Sequence, residues 1–595
     1  MYFVLIETAG NQKYIFSTNK LKENIGASEL TYQASTKWLL EAIGNISNNQ
    51  PLTVWQDSQR LRQTLLSPEK NPPIEASEQN HIEVIVAASG KALVLTRTEE
   101  QATRLIQAVT HKALIEAPGL EVLGVYLPFE WERDALGEKN RELHQRYEAV
   151  RATRPSADLR FLRVPIAADC QNSSLPAAML RANPDGGSPQ TLSQMSVAKQ
   201  SASDGGKERV EKLLKKSLPN CGFAGDTNDL EKIKDLDWLA IVHADGNGLG
   251  QIFLNFHEHI EATTAADNRD YINQLRQFSI GLDICTEKAF LSALDQLPAS
   301  PTTDPDKQLI PLTPLILGGD DLTVVCDGRS ALPFITKFLA AFEQETAVSH
   351  EGVGNIVAEV AQAALGVNRL SACAGISIVK LHFPFSVAYE LASALIKSAK
   401  RKISTMISNP VIDKRFPCSA LDFHIVYDAS DVSFDRIRSK LTTSTSEKSE
   451  EKGTEAPPAL LYKRPYVVTP MEKLAETTGV AWAAFHNWQN LLSQVKVLTA
   501  IDEEGRKVLP NSQVHDLRVA LYQGKAVADA RYRLIRDRYP KQGLTTLAGD
   551  DLSLFQSEPG TNIPMTALID ALDASEFMRR PQTDQPTATE SAVLA

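Results

Sequence analysis

The 595-residue sequence has few cysteines, no excess of positive charge and no long apolar run. Its six cysteines are scattered and form no Cys-x-x-Cys pair, which predicts reduced thiols in the cytoplasm rather than a disulfide framework. The formal net charge of −11 argues against a protein that coats nucleic acid electrostatically, although it allows a local basic groove. No apolar stretch reaches the roughly 20 residues that a membrane-spanning helix needs, and the N-terminus lacks a signal-peptide pattern, so we expect no membrane association.

The length predicts three or four domains, since one hydrophobic core does not extend over a chain of this size. A hydrophobic content of 43% and a charged content of 23% are ordinary for a globular protein. Two polar segments, residues 442–458 and 580–595, show no pattern of a packed core, so we expect them to be unstructured. Residues 183–204 are rich in Ser, Gln and Gly, which predicts a mobile loop.

Two adjacent carboxylates lie between two short apolar segments near the middle of the chain. The segments 314–317 and 322–326 have the composition of buried strands. The residues between them are Gly318, Gly319, Asp320 and Asp321. This order predicts a β-hairpin with two aspartates at its tip, because glycine permits positive φ and a close approach by a ligand. Adjacent carboxylates are costly unless a cation screens them, which favours a divalent metal that carries a nucleotide triphosphate.

A third carboxylate follows another predicted strand. Residues 237–244 have the composition of a buried strand, and a helical pattern begins near residue 249. Between them lie Asp245, Gly246, Asn247 and Gly248. An aspartate at a strand end can hold a metal, while glycines before a helix let backbone amides approach phosphates. Asp245 together with Asp320 and Asp321 predicts a two-metal site for phosphoryl transfer.

Each of these motifs alone has a simpler interpretation. A single Gly-Gly-Asp-Asp is usually a surface turn, and Asp-Gly-Asn-Gly is usually a loop. Their occurrence on two predicted strands of one domain favours a catalytic site. Lys400, near the end of a predicted helix at 384–402, leaves two explanations open: it interacts with the negative end of the helix dipole, or it neutralises a triphosphate.

The elements around the motifs occur in the order strand, two helices, hairpin, helix, strand, helix, strand. The remaining two strands are predicted at 370–380 and 421–427. This order favours an α+β fold, an antiparallel sheet with helices on one face, as in the palm domains of polymerases and nucleotidyl cyclases.

The motifs at 245–250, 318–321 and 371–400 resemble the second palm of the large, polymerase-like subunit of type III CRISPR effector complexes, the Cas-ten family. Residues 6–28 are similar to the first palm of that family, and residues 83–95 repeat the later hairpin without its paired carboxylates. The resemblance therefore implies two ferredoxin-like palms. It also implies that the first is degenerate, binds no metal at its turn and helps to seat a second nucleotide.

The resemblance extends from Met1 to about Gln556, and together with the composition of the polar segments it predicts six parts. These are a first palm at 1–140, a linker domain at 141–229, a second palm at 230–430, a flexible linker at 431–464, a C-terminal helical domain at 465–575 and a disordered tail at 576–595. The chain opens on the first palm, so we do not expect the N-terminal nuclease domain of many relatives. The zinc module of the family is reduced to Cys170 and Cys221, so we expect no zinc. Asn247 stands where relatives often have aspartate.

The resemblance implies an enzyme that makes cyclic oligonucleotides, above all cyclic oligoadenylate, from ATP in antiviral defence. The implied catalytic and metal-binding residues, with two Mg²⁺ or Mn²⁺ ions, are Asp245, Asp320 and Asp321. The implied nucleotide-binding residues are Gly246, Asn247, Gly248, Gly318, Gly319 and Lys400. Guide RNA, target RNA and other effector subunits are the implied partners. The alternatives are a catalytically weak, nucleotide-binding scaffold of an RNA-guided complex and a linear polymerase.

Overall fold

The computed structural model describes most of the chain up to residue 578. The residues outside the description are 48–53, 183–187, 216, 225–228, 231–232, 234–235, 302–307, 410–413, 416, 429–431, 445–457, 540–542, 550–551 and 579–595. The predicted tail beyond residue 578 and most of the polar segment at 442–458 therefore lie outside the described residues. No helix of the described part is both long enough and apolar enough to cross a bilayer.

The N-terminal region contains the first antiparallel sheet. Its elements are β1 (Tyr2–Ala9), α1 (Asn11–Ile15), α2 (Leu21–Ser35), α3 (Lys37–Ile46), α4 (Ser58–Leu66), β2 (Ile82–Ala88), β3 (Lys91–Thr96), α5 (Glu99–Glu116), β4 (Glu121–Pro128) and α6 (Leu136–Thr153). The strands pair in the order β2–β3–β1–β4. Their short apolar segments are buried, as the composition predicts.

A region with one long helix follows. Its elements are β5 (Met179–Arg181), β6 (Gln190–Leu192), α7 (Gln194–Leu214) and β7 (Cys221–Phe223). The prediction of a mobile loop at 183–204 is therefore wrong from Gln190 onward, where β6 and α7 lie, and residues 183–187 are outside the described residues. Helix α7 lies directly against α2, since a Cβ on Gly26 of α2 would lie only 1.7 Å from the Lys199 carbonyl oxygen of α7. Tertiary packing outweighs the low helix propensity of the Ser and Gly residues in α7.

The second palm region contains the motifs. Its elements are β8 (Trp238–Gly246), α8 (Leu249–Leu254), α9 (Phe256–His259), α10 (Asn268–Ala293), β9 (Ser300–Pro301), β10 (Gln308–Ile310), β11 (Leu312–Gly318), β12 (Asp321–Asp327), α11 (Ala331–Glu345), α12 (Ile356–Leu365), β13 (Ala372–Lys380), α13 (Phe385–Met406), β14 (Ser408–Asn409), β15 (Lys414–Arg415) and β16 (Ala420–Ile425). The five strands predicted around the motifs correspond to β8, β11, β12, β13 and β16.

The C-terminal region is mostly helical, as predicted. Its elements are α14 (Phe434–Lys440), β17 (Thr442–Thr443), β18 (Ala459–Leu460), β19 (Tyr466–Val467), α15 (Val480–Phe485), α16 (Trp488–Thr499), α17 (Asn511–Tyr522), α18 (Lys525–Arg538), β20 (Gln556–Ser557), β21 (Pro564–Met565) and α19 (Leu568–Glu576). The predicted flexible linker at 431–464 contains α14, β17 and β18, so that prediction is wrong for its described residues. The start of the predicted tail is also ordered, because α19 ends at Glu576.

The two palm sheets have the same strand order. The second sheet runs β11–β12–β8–β13–β16–β19, and its first four strands correspond to β2–β3–β1–β4. The pairing register shifts at the same place in each hairpin, between Val84 and Val86 and between Pro314 and Ile316. The shared order and the shared irregularity confirm the predicted α+β fold with two palms.

The second sheet is buried on both faces, because every residue of β13 from Ala372 to Val379 is buried. Helix α13 covers the face that carries Gly375, where a Cβ would lie 2.1 Å from the Ala392 carbonyl oxygen. Helices α10 and α11 pack together and contact the same sheet. The prediction of helices on one face only is therefore wrong. The sequence does not show an alternation of apolar and polar residues along these strands, because both faces of the sheet are apolar.

The two palms pack against each other, and a helix of each palm contacts a strand of the other. Helix α10 of the second palm contacts β2, and α2 of the first palm contacts β11. Glu83, which is fully buried in β2, pairs with Arg269 and Arg276 of α10, each with a closest N–O distance of 2.7 Å. The hairpin tips of the two sheets are adjacent, since a Cβ on Gly318 would lie 3.9 Å from the Ser89 Cβ.

Candidate metal and nucleotide site

Three carboxylates converge at one end of the second sheet. Asp245 lies near the end of β8, Asp320 lies at the tip of the hairpin, and Asp321 is the first residue of β12. Strands β8 and β12 pair up to Ala244 and Leu322, which places Asp245 beside Asp321. One carboxylate oxygen from each aspartate lies within 4.8 Å of those of the other two. Among the described residues, this is the one group of three or more His, Cys, Asp or Glu side chains close enough together to hold a metal ion.

Glycines around the triad leave room for this convergence. A Cβ on Gly246 would lie 2.8 Å from the Asp320 Oδ2 atom and 2.3 Å from the Leu249 Cδ1 atom. Gly246 therefore lets the aspartate tip approach β8. Gly248 has φ +75° at the start of α8, and Gly319 has φ +61° at the tip, a conformation that glycine adopts without strain.

Lys400 supplies a cation to the triad. Its Nζ atom forms an ion pair with Asp245 and donates a hydrogen bond to the Gly246 carbonyl oxygen at 2.8 Å. Lys400 lies more than one turn before the end of α13 at Met406, and the last turn of that helix has no basic residue. The helix-dipole explanation acts within the last turn, so it does not account for the position of Lys400.

The pKa values of the three carboxyl groups differ strongly from their ordinary values. Burial and the negative charge of Asp245 raise the pKa of Asp320 to about 7. Burial and the charge of Asp320 raise the pKa of Asp321 well above its usual range. Burial also acts to raise the pKa of Asp245, but Lys400 and hydrogen bonding outweigh it, so this pKa is lowered. The raised pKa values indicate that one ammonium group does not compensate the negative charge that three ionised carboxylates would carry.

The triad fits a divalent cation. Carboxylate oxygens are the ligands that Mg²⁺ and Mn²⁺ prefer, and the three oxygens are close enough to share one ion or two. A bound divalent cation would lower the pKa values of these carboxyl groups and stabilise the ionised form of all three carboxylates. The prediction of no zinc remains a prediction. Cys170 is buried, and its Sγ atom lies 3.5 Å from the Ser196 Oγ atom.

Asn247 is not directed at the triad. Its side-chain amide donates to the Ser371 Oγ atom at 2.9 Å and to the Cys418 carbonyl oxygen at 3.0 Å. Its backbone N–H donates to the Ser371 carbonyl oxygen. These bonds attach the loop after β8 to the neighbouring strands. The structure therefore gives Asn247 a supporting role in this loop, and nucleotide binding by Asn247 remains a prediction.

Two further residues, which are not among the predicted site residues, lie beside the triad. The His243 ring is buried, hydrogen-bonded to the Thr323 Oγ1 atom at 2.9 Å, and its centroid lies 5.7 Å from that of the Tyr389 ring. Burial and the charges of Asp321 and Asp245 raise the pKa of Tyr389. Tyr389 lies eleven residues, or three helical turns, before Lys400, so helical spacing could have placed both on one face of α13.

The first palm has an ion pair where the second has carboxylates. In the hairpins, Ala88 pairs with Lys91 and Gly318 pairs with Asp321, so Lys91 corresponds to Asp321. Glu7 pairs with Lys91 across the strands, and their charged atoms are 3.5 Å apart. An ammonium group thus stands beside the carboxylate of the first palm, which agrees with the predicted loss of the carboxylates at its turn.

Residues 238–405 match the protein family described as Cas10/Cmr2, second palm domain. The predicted resemblance is confirmed for this segment. The match contains all three aspartates and Lys400. A comparison with curated proteins found no match.

Solved structures of type III CRISPR complexes are similar to the whole chain at low identity. An apo type III-B Cmr-beta structure matches this chain with a TM-score of 0.46 and 10% identity. The matched region covers 96% of this chain and 81% of the chain in that structure. A Csm1–Csm4 cassette in complex with cA4 has a TM-score of 0.43 and 11% identity, over 97% of this chain and 69% of that one. A Csm1–Csm4 subcomplex of the type III-A interference complex has a TM-score of 0.40 and 12% identity, over 93% and 65%.

Proposed function

We propose that the second palm is a metal-dependent nucleotidyltransferase that converts ATP into cyclic oligonucleotides, with cyclic oligoadenylate as the expected product. The observation that supports this function is the convergence of Asp245, Asp320 and Asp321 inside a segment that matches the Cas10/Cmr2 second palm. The proposed setting is type III CRISPR-like antiviral defence in the cytoplasm. The proposed partners are guide RNA, target RNA and other effector subunits.

The roles of the residues follow from their positions. Asp245, Asp320 and Asp321 would hold two Mg²⁺ or Mn²⁺ ions, which supply activation of a ribose hydroxyl and neutralisation of the triphosphate when bound. Lys400 exchanges its bond with Asp245 for one with a phosphate oxygen once that carboxylate has another partner. Gly248 and Gly319 have no side chain, and no atom outside the adjacent residues lies within 4 Å of the position of a Cβ at either residue, so a phosphate would have room to approach the backbone there.

The test uses the purified full chain with each labelled nucleoside triphosphate and Mn²⁺, with and without candidate RNA. Mass spectrometry identifies the products and separates cyclic from linear oligonucleotides. We expect a cyclic product from the wild type and none from the Asp320→Asn, Asp321→Asn double variant, whose circular dichroism should match the wild type. Product formation by a correctly folded double variant would refute the assignment of these aspartates.

A second candidate function is a nucleotide-binding scaffold without turnover. The observation that favours it is the ion pair of Lys400 with Asp245, which already neutralises one carboxylate without a metal. This alternative predicts tight ATP binding with no release of pyrophosphate under every RNA condition. Pyrophosphate release that depends on Asp320 and Asp321 would exclude it.

A further inference from the structure

The tip of the aspartate hairpin is held by helix α10. The Gly319 N–H donates a hydrogen bond to the Asp283 Oδ1 atom at 2.5 Å. The Thr286 Oγ1 atom donates to the Gly319 carbonyl oxygen at 2.6 Å. Asp283 and Thr286 are three residues apart and share one helix face. Together they hold the two peptide groups on either side of Gly319, and the second of these peptides leads into Asp320.

The tip needs such support because its own residues do not fix it. Gly319 has φ +61°, and no atom lies within 4 Å of the position of a Cβ. Gly318 is also without a side chain. Two consecutive glycines leave the backbone free to adopt many conformations. The hydrogen bonds to α10 therefore select the conformation in which Asp320 and Asp321 face Asp245.

The support extends to the first palm. Arg62 of α4 places its Nη2 atom 3.6 Å from the Asp283 Oδ2 atom. The same guanidinium forms two hydrogen bonds of 2.7 Å with Glu287, one turn further along α10. Arg62 is mostly buried, with 13% of its side chain exposed. A side chain of one palm thus orients the carboxylate that holds the metal-binding tip of the other palm.

Asp283 does not belong to the metal-binding group itself. Among the described residues, the group that could hold an ion consists of Asp245, Asp320 and Asp321 only. One oxygen of Asp283 is used by the Gly319 amide, and the other faces Arg62. Asp283 therefore supports the hairpin tip that carries Asp320 and Asp321 rather than binding an ion itself.

We propose that Asp283 and Thr286 are positioning residues for the aspartate tip and that Arg62 makes this positioning depend on the docking of the first palm. The proposal rests on the proposed function, because the tip is positioned for metal binding. Misplacing a ligand by about 1 Å is enough to weaken such a site strongly. A charge-assisted hydrogen bond of the Asp283 type contributes more than a neutral one.

The decisive comparison is between Asp283→Ala and Glu287→Ala in the full chain. Each variant removes one acidic partner of Arg62 from the same helix, but only Asp283 contacts the tip. Hydrogen exchange of the metal-free chain measures protection of the Gly319 amide. Electron paramagnetic resonance titration measures the affinity for Mn²⁺ without nucleotide. Circular dichroism and the thermal unfolding midpoint report whether each variant is folded.

We expect Asp283→Ala to accelerate exchange at the tip by about tenfold and to weaken Mn²⁺ binding by a similar factor. Asp283→Asn retains a carbonyl acceptor for the Gly319 amide and should recover much of the protection. Glu287→Ala should resemble the wild type in both measurements. If Asp283→Ala fails to fold, Thr286→Val removes the second bond to Gly319 and should weaken Mn²⁺ binding by a smaller factor.

Equal effects of the two alanine variants would overturn the proposal, because they would indicate general loosening of the palm interface. Unchanged Mn²⁺ affinity in a folded Asp283→Ala chain, or in Thr286→Val where it replaces that chain, would also overturn it while leaving the metal site intact. A wild-type chain that binds no Mn²⁺, or that binds it as well after loss of Asp320 and Asp321, would refute the metal site of the proposed function and the positioning role with it.

Discussion

Glu7 and Asp245 occupy the same position in two sheets of the same strand order. Each lies near the end of the central strand of its palm, beside the first residue of the second hairpin strand. In the first palm that neighbour is Lys91, and in the second it is Asp321. The lysine places a positive charge where the second palm gathers negative charge, so the same fold carries an ion pair in one copy and a candidate metal site in the other.

This relationship predicts that equivalent substitutions have different effects. Asp245→Asn should weaken Mn²⁺ binding by about tenfold or more, because it removes one anionic ligand. Glu7→Gln should leave Mn²⁺ binding by the full chain unchanged, because its partner is Lys91. Titration of both variants with Mn²⁺, followed by electron paramagnetic resonance, makes the comparison. Loss of a bound ion in the Glu7→Gln chain would contradict the metal-free interpretation of the first palm.

The close contact at Gly246 predicts a steric effect on the triad. Alanine at this position would place a Cβ 2.8 Å from the Asp320 Oδ2 atom and 2.3 Å from the Leu249 Cδ1 atom. We expect Gly246→Ala to displace the aspartate tip and to weaken Mn²⁺ binding while the chain remains folded. Gly250→Ala is the matched control, since nothing lies within 4 Å of a Cβ there. Similar Mn²⁺ affinities for the two variants would show that Gly246 has no such role.

The parts of the site that could be predicted from the sequence are those encoded by neighbouring residues. The two strands and the tip at 318–321 form one local pattern of apolar, glycine and acidic residues, and the structure has the predicted hairpin there. Asp245 was predicted at a strand end from the apolar run before it. These inferences succeeded because strand composition and turn chemistry act over a few residues.

The parts that could not be predicted depend on contacts between distant segments. Arg62 and Asp283 lie 221 residues apart in the chain, so the local sequence around either residue does not indicate that their side chains are in contact. The direction of the Asn247 amide depends on Cys418, which belongs to another strand region. The composition at the start of α7 predicts a loop because its small residues are poor helix formers, whereas in the structure they permit close packing on α2.

The ion pair between Lys400 and Asp245 predicts opposite effects on metal and nucleotide. Lys400→Met removes the ammonium that competes for the carboxylate, so Mn²⁺ affinity should stay equal or increase. ATP affinity should fall by about tenfold, because a charged partner of the triphosphate is lost. Lys397→Met, which changes an exposed lysine on the same helix, is the control for charge alone. Parallel Mn²⁺ and ATP titrations distinguish the two effects, and loss of Mn²⁺ binding would contradict the proposed role of Lys400.

His144 of the first palm predicts a loss of stability in mild acid. Its Nε2 atom lies 2.7 Å from the Lys91 Nζ atom, and its Nδ1 atom lies 2.8 Å from the Asn140 carbonyl oxygen. Lysine only donates hydrogen bonds, so this geometry requires a neutral ring that accepts at Nε2 and donates at Nδ1. Burial and the charge of Lys91 accordingly lower the pKa of His144 from 6.5 to about 4.

On unfolding, His144 regains its ordinary pKa and takes up a proton below about pH 6.5. The stabilising contribution of the neutral ring is therefore complete above pH 6.5 and decreases as the pH falls towards 4, by at most about 1.4 kcal/mol per pH unit. The thermal unfolding midpoint of His144→Gln should change less between pH 7 and pH 5 than that of the wild type. The exposed His515, changed to Gln, serves as the matched control. Identical pH profiles for the wild type and His144→Gln would show that the ring is already protonated in the folded chain or does not contribute to stability.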